Sequence, residues 1–95
     1  MSAFIVAVVT VTDQVAFQEY ANDINNLVEK YDGEYVCRGP VTATLEGQAA
    51  AGERVVVIRF PDRKSAEAYI SSPTYQSAKA KRLNAGTVTM RLVEA

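Results

Sequence analysis

The chain of 95 residues contains no histidine and only one cysteine, Cys37. Without imidazole there is no Ser-His-Asp or Cys-His arrangement, because both need histidine as the base. One cysteine and no histidine also exclude the ordinary zinc constellations, and a haem held by a proximal histidine. No internal disulfide can form, which suits a reducing cytoplasm, and a cytoplasmic location is expected. Basic runs are missing too. Ten basic and eleven acidic residues are mixed along the chain, for a net charge of −1. A binder of nucleic-acid backbone needs a basic stripe, so no nucleic-acid partner is expected. There is no long apolar run. The apolar start through Thr12 is interrupted by Asp13 and is shorter than the ~20 residues of a membrane span. It lacks a basic leading segment and reads as a strand, not a signal peptide. Gly47 to Gly52 falls in a hairpin, not before a helix, so no phosphate-cradling loop is expected.

What is present is enough for one domain, residues 1–95, since 48% of the residues are apolar. Phe4 to Val11 is apolar at both alternating sets of positions, as in a strand covered on both faces. Thr12 or Asp13 then caps a helix. Phe17, Tyr20, Ala21, Ile24, Leu27, Val28 and Tyr31 fall at spacings of three and four, and predict one continuous helical stripe. Asp32-Gly33 ends it, with Gly33 suited to a left-handed position. Glu34 to Arg38 is a second strand, bent at Gly39-Pro40 and continued by Val41 to Leu45. Glu46 to Glu53 reads as a hairpin tip. Arg54 to Phe60 is a third strand, closed by Pro61, with Asp62 capping the next helix. Ser72-Pro73 breaks that helix and starts another, through Tyr75, Ala78 and Arg82 to about Leu83. Thr87 to Val93 is the last strand.

The order β-α-β-β-α-β describes an α+β sandwich: a four-stranded antiparallel sheet with helices on one face. The first and third strands are apolar on both sides, so the uncovered sheet face predicts a homodimer, open face against open face.

Tyr31-Asp32-Gly33, Cys37-Arg38-Gly39, Leu45-Glu46-Gly47, Arg54 to Pro61 and Ser72-Pro73-Thr74-Tyr75 occur in one order across almost the whole chain. In this the sequence resembles the uncharacterised domain-of-unknown-function family 1330. The resemblance implies a ferredoxin-like protomer of the dimeric α+β barrel superfamily. That superfamily includes cofactor-free monooxygenases, muconolactone isomerases and dye-decolourising haem enzymes, and fold alone does not fix function. Gly39-Pro40 stands where such sequences often have two glycines, and Tyr69 where an aromatic, often tryptophan, is usual.

The candidate ligand-binding residues are Arg38, Arg54, Tyr75, Glu46 and Arg82. The arginines suit a guanidinium clamp for a carboxylate, and the resemblance points mildly to Arg38 and Arg54. The plainer reading pairs the arginines with Glu46 and Glu53 near the hairpin. Tyr75 follows a helix start and would plug or line a cavity between helices and sheet. Glu46 is the best carboxylate for proton transfer, were it buried. Tyr20, Tyr31 and Tyr69 read as core residues, and Cys37 as a small buried apolar residue.

The function expected is binding of a small apolar or weakly anionic molecule between sheet and helices, without a cofactor. The alternatives are a cofactor-free isomerase or monooxygenase-like enzyme, and a purely structural dimerisation module. The catalytic residues of such an enzyme are not assigned.

Overall fold

The computed structural model describes residues 1–95. Four strands, β1 (Ala3–Val11), β2 (Glu34–Pro40), β3 (Glu53–Phe60) and β4 (Gly86–Glu94), form one antiparallel sheet in the order β2-β3-β1-β4. Between them run α1 (Gln14–Asp23), α2 (Leu27–Lys30), α3 (Arg63–Ser71) and α4 (Pro73–Lys81). This is the ferredoxin-like α+β architecture. No helix is long and apolar enough to cross a membrane.

The two central strands are the two that the sequence marks as apolar on both faces. Residues of β1 alternate between sealed (Ala3, Ile5, Ala7, Val9) and half-buried (Phe4, Val6, Val8, Thr10). The sealed set meets the helices. The half-buried set shares the uncovered face with Val55 and Val57, through the pairs Val8↔Val55 and Val6↔Val57. The helix-side core gathers Ile58 and Phe60 of β3, Tyr20 and Ile24 beside α1, Leu27 and Val28 of α2, and Ala66, Tyr69, Tyr75 and Ala78 of α3 and α4. Sealing an aromatic such as Phe60 stabilises by about 1.5–3 kcal/mol.

Capping follows the sequence closely. Asp13 accepts from the Ala16 amide, Asp62 from Ser65 and Ser72 from Tyr75. Ser72 also donates its hydroxyl to the Tyr69 carbonyl at 2.8 Å, so one side chain links the end of α3 to the start of α4. Lys81 reaches Asp23 at 2.6 Å and ties α4 to α1.

Four sequence expectations are corrected. The helical stripe from Phe17 to Tyr31 is not one helix: it breaks after Asp23, and Asn26 is left-handed at φ 68°. Asparagine tolerates that conformation, and Asn25-Asn26 supplies it. The left-handed residue closing α2 is Asp32 (φ 64°), not Gly33. The Gly33 amide bonds the Val28 carbonyl and the Asp32 amide bonds that of Glu29, the paired bonds of a Schellman turn. What requires glycine at 33 is space. A Cβ there would lie 2.6 Å from the Phe60 ring and 2.8 Å from Val28. The strand after Gly39-Pro40 does not continue to Leu45. Pairing stops at Pro40↔Arg54, and only the Val41 amide, bonded to the Glu53 carbonyl, extends the ladder. Lastly, Cys37 is exposed. It lies on the edge strand, opposite Val57, on the face that the helices leave open.

Candidate functional site

A cleft of about 870 Å³ lies between α1 and the helix-side face of the sheet. Its floor is Ile5, Ala7, Val9, Val56 and Ile58. These small and branched residues cannot fill the space beneath a helix as short as α1. Phe17, Tyr20, Ala21 and Ile24 form its roof, and Tyr69 and Met90 line it too. Pro40, Val41, Gly52 and Glu53 border it where β2 gives way to irregular chain. The chemistry is that of a ligand cleft: mostly apolar walls with a few polar groups.

Two of those groups are Arg38 and Arg54. Strand register sets them on the same face, because Arg38 stands opposite Val56 and Pro40 opposite Arg54. Both are exposed and both line the cleft. Arg38 lies over the Tyr35 ring, 4.4 Å from its centroid. The expected ion pairs with Glu46 and Glu53 are not formed. The four pairs in the structure are Arg59–Glu34, Arg63–Glu67, Arg63–Glu94 and Lys81–Asp23. Arg59 meets its register neighbour across β2–β3, and Arg38 and Arg54 keep unpaired guanidinium heads beside the cleft.

Tyr75 and Arg82 are brought together, but behind the wall of the cleft. Tyr75 is 1% exposed. Its hydroxyl lies 3.5 Å from that of Tyr20, 3.5 Å from the Met90 sulfur and 3.1 Å from Arg82 Nη2. Arg82 also lies over the Tyr20 ring at 4.9 Å, and its Nε is buried without a partner. This cluster braces Tyr20 and Met90, which do reach the cleft. Glu46 is apart from both groups, exposed in the segment between β2 and β3.

Sequence reasoning left out Tyr35, Tyr69 and Glu53, all of which line the cleft. The spacing of Tyr69 marks it as core, and it is core: Phe60, Tyr31 and Tyr75 surround it at ring distances of 5.2–6.3 Å. No sequence signal says where its hydroxyl points. Burial raises the pKa of Tyr69, with smaller contributions from the neighbouring phenols of Tyr20, Tyr35 and Tyr75. Burial raises that of Tyr20 as well, helped by Tyr75 and opposed by Arg82. Tyr35 is also raised by burial, against the pull of Arg38. All three phenols are therefore neutral hydrogen-bond donors at ordinary pH. No group of acidic or sulfur ligands is placed to hold a metal ion.

The model of the family described as "Domain of unknown function (DUF1330)" matches residues 2–95. No curated protein sequence matches the chain. Among solved structures it is similar to a protein of unknown function from Rhodopseudomonas palustris, at 18% identity and TM-score 0.79, covering 99% of this chain and 82% of that one. A dimeric ferredoxin-like protein of unknown function from Jannaschia sp. CCS1 matches at 15% identity and TM-score 0.76, over all of both chains. The cofactor-independent oxygenase SnoaB from Streptomyces nogalater matches at 13% identity and TM-score 0.70, over 99% of this chain and 92% of that one. At these identities the likeness is one of fold.

Proposed function

The chain belongs to the DUF1330 family, and from the form of its cleft we propose that it binds a small, largely apolar molecule bearing a weakly acidic group. One observation carries the reading: two arginines without carboxylate partners stand beside an apolar cleft of about 870 Å³. A guanidinium is held there by its strand, and the Tyr35 ring presets the Arg38 plane, so a bound carboxylate meets donors already in place. The apolar body of the ligand takes the floor between Ile5 and Ile58.

The test is a thermal-shift titration with 2-naphthoate. Wild type gains a saturable rise in Tm, and the Arg38→Ala/Arg54→Ala double variant does not. If wild type shows no rise with 2-naphthoate or related aryl acids at millimolar concentration, the reading is wrong.

A second reading, a cofactor-free oxygenase, draws on the fold shared with SnoaB and on Glu53, an acidic residue at the rim of the cleft. Such an enzyme would take a proton from an acidic aromatic substrate before oxygen adds. Oxygen uptake with hydroxynaphthoates above the uncatalysed rate, lost in Glu53→Gln, would support it; no uptake would sink it.

In either case the functional unit we propose is a homodimer. Phe4, Val6, Val8, Val55 and Val57 make an apolar centre on the sheet face opposite the helices, a patch of the kind that marks an interaction surface. A dimeric neighbour of the same fold supports the proposal.

A further inference from the structure

The Tyr69 hydroxyl makes no hydrogen bond within the protein, although the residue is 1% exposed. Buried polar groups are nearly always bonded, so such a group calls for an explanation. The hydroxyl is not entombed: the one sealed, unpartnered side-chain atom in the molecule is Arg82 Nε. Tyr69 lines the cleft. The little surface that its hydroxyl keeps is accordingly assigned to the cleft that the residue lines. The ring is immobilised by Phe60, Tyr31 and Tyr75, so the direction of the phenol is fixed by packing. Burial keeps it protonated, hence a donor as well as an acceptor.

We propose that Tyr69 is the inner polar anchor of the cleft, donating a hydrogen bond to an uncharged oxygen, a ketone or ester carbonyl, of the bound molecule. This deepens the reading above and rests on it. The ligand class narrows accordingly. Tyr69 packs on Phe60, which stands six residues along β3 from Arg54 on the same face, about 20 Å of strand. The Tyr69 ring is thus seated near the Phe60 end of β3, away from Arg54. The molecule that satisfies both is an elongated apolar acid with a carbonyl at the end remote from its carboxylate. A ligand lacking that oxygen leaves the phenol unpaired, which is how polar sites reject close analogues.

The test compares 6-acetyl-2-naphthoate with 6-isopropenyl-2-naphthoate, a planar match without the acceptor oxygen, by titration calorimetry. Wild type should bind the acetyl compound about tenfold more tightly, as expected for one hydrogen bond to a desolvated phenol. In Tyr69→Phe the ratio should fall to about one, through loss of affinity for the acetyl compound alone. The ring contacts survive in that variant, so an unchanged unfolding profile is the control for folding. Arg54→Ala should weaken both compounds by the same factor and leave the ratio intact. If both compounds bind wild type equally, or if Tyr69→Phe retains the preference, the anchor is overturned and the acid-binding reading stands. If neither compound binds wild type, both are overturned. If Tyr69→Phe collapses the ratio while Arg54→Ala changes nothing, the anchor stands and the role of Arg54 falls.

Discussion

Arg82 donates through Nη2 to the phenol oxygen of Tyr75 at 3.1 Å, joining the residue that ends α4 to one in its first turn. The same guanidinium covers the Tyr20 ring, which hangs from α1. One side chain therefore holds α4 to α1 by a cation–π contact and is itself fixed by a hydrogen bond within α4. Replacing it with Met keeps the apolar stem and removes both. Arg82→Met should cost about 1–2 kcal/mol in urea unfolding. Because neither contact is a salt bridge, the loss should be the same at low and high salt. A loss that vanishes in high salt would contradict this account.

Ser72 is 5% exposed and bonds in both directions, to the Tyr69 carbonyl and from the Tyr75 amide. Alanine removes the cap and orphans the Tyr75 amide, while the Tyr69 carbonyl keeps only the Ser72 backbone amide at 3.3 Å. Ser72→Ala should destabilise by about 1–2 kcal/mol. Ser71→Ala, one residue back on an exposed position, is the control and should be near neutral.

Gly33 and Gly39 bracket β2 and differ in what surrounds them. A methyl at 33 would collide with Phe60 and Val28, whereas a methyl at 39 would meet nothing within 4 Å. Gly33→Ala should lose about 1–3 kcal/mol, as for other overpacked cores. Gly39→Ala should be neutral or slightly stabilising, since it restricts the unfolded chain. Equal effects in chemical denaturation would show that the contact with Phe60 relaxes without cost.

Tyr20 and Tyr69 are raised above the ordinary tyrosine value of 10.0, burial being the largest cause in each. Above pH 10 the unfolded chain releases these protons and the folded chain keeps them. The unfolded state then binds fewer protons, so stability falls as pH rises, by up to about 1.4 kcal/mol per pH unit for each phenol. Below pH 10 the contribution is complete and flat. Tyr69→Phe should make the alkaline decline shallower without altering its onset. Urea midpoints between pH 8 and 11.5 would reveal it, and parallel curves for the two proteins would refute it.

Val6 and Val57 are register partners on the open face of the sheet. In the proposed dimer, glutamate at either position places a charge in a dry interface. Val6→Glu should convert a dimer into a monomer at micromolar concentration in sedimentation velocity, while circular dichroism stays close to wild type. A wild-type protein that sediments as a monomer would remove the dimer altogether.

The frame of the molecule was legible because periodicity records burial directly. The doubly apolar β1 and β3 became the two inner strands, and Asp13, Asp62 and Ser72 cap helices as side chains of those types should. What was misread depends on contacts between distant segments. The stripe through Phe17, Ile24 and Val28 survives the break at Asn26, since α1 and α2 still present those residues to one core, so the pattern looks continuous. Cys37 sits in a strand that turned out to be an edge, and edge position is a property of sheet order. Of the candidate site, Arg38 and Arg54 are brought to one cleft by strand register. Tyr75 and Arg82 pair with each other instead, behind Tyr20. Tyr69 was passed over because helical spacing reports which ring is buried and is silent on the last atom of that ring.

Strand β2 departs from regular pairing once. Tyr35 stands opposite Ile58 and Cys37 opposite Val57, which leaves Val36 as a supernumerary residue. That single bulge puts Tyr35 and Arg38, an odd number of residues apart, on the same side of the sheet. In a regular strand they would face opposite ways, and with Tyr35 kept in register Arg38 would look toward the open face of the sheet. The bulge thus works as a reading-frame marker for the cleft. Regular pairing through Val36 would swap guanidinium for thiol beside the cleft and leave every side chain chemically untouched. In a scaffold of this kind, the side chains that a cleft presents can change by a shift of pairing along an edge strand as readily as by substitution within it.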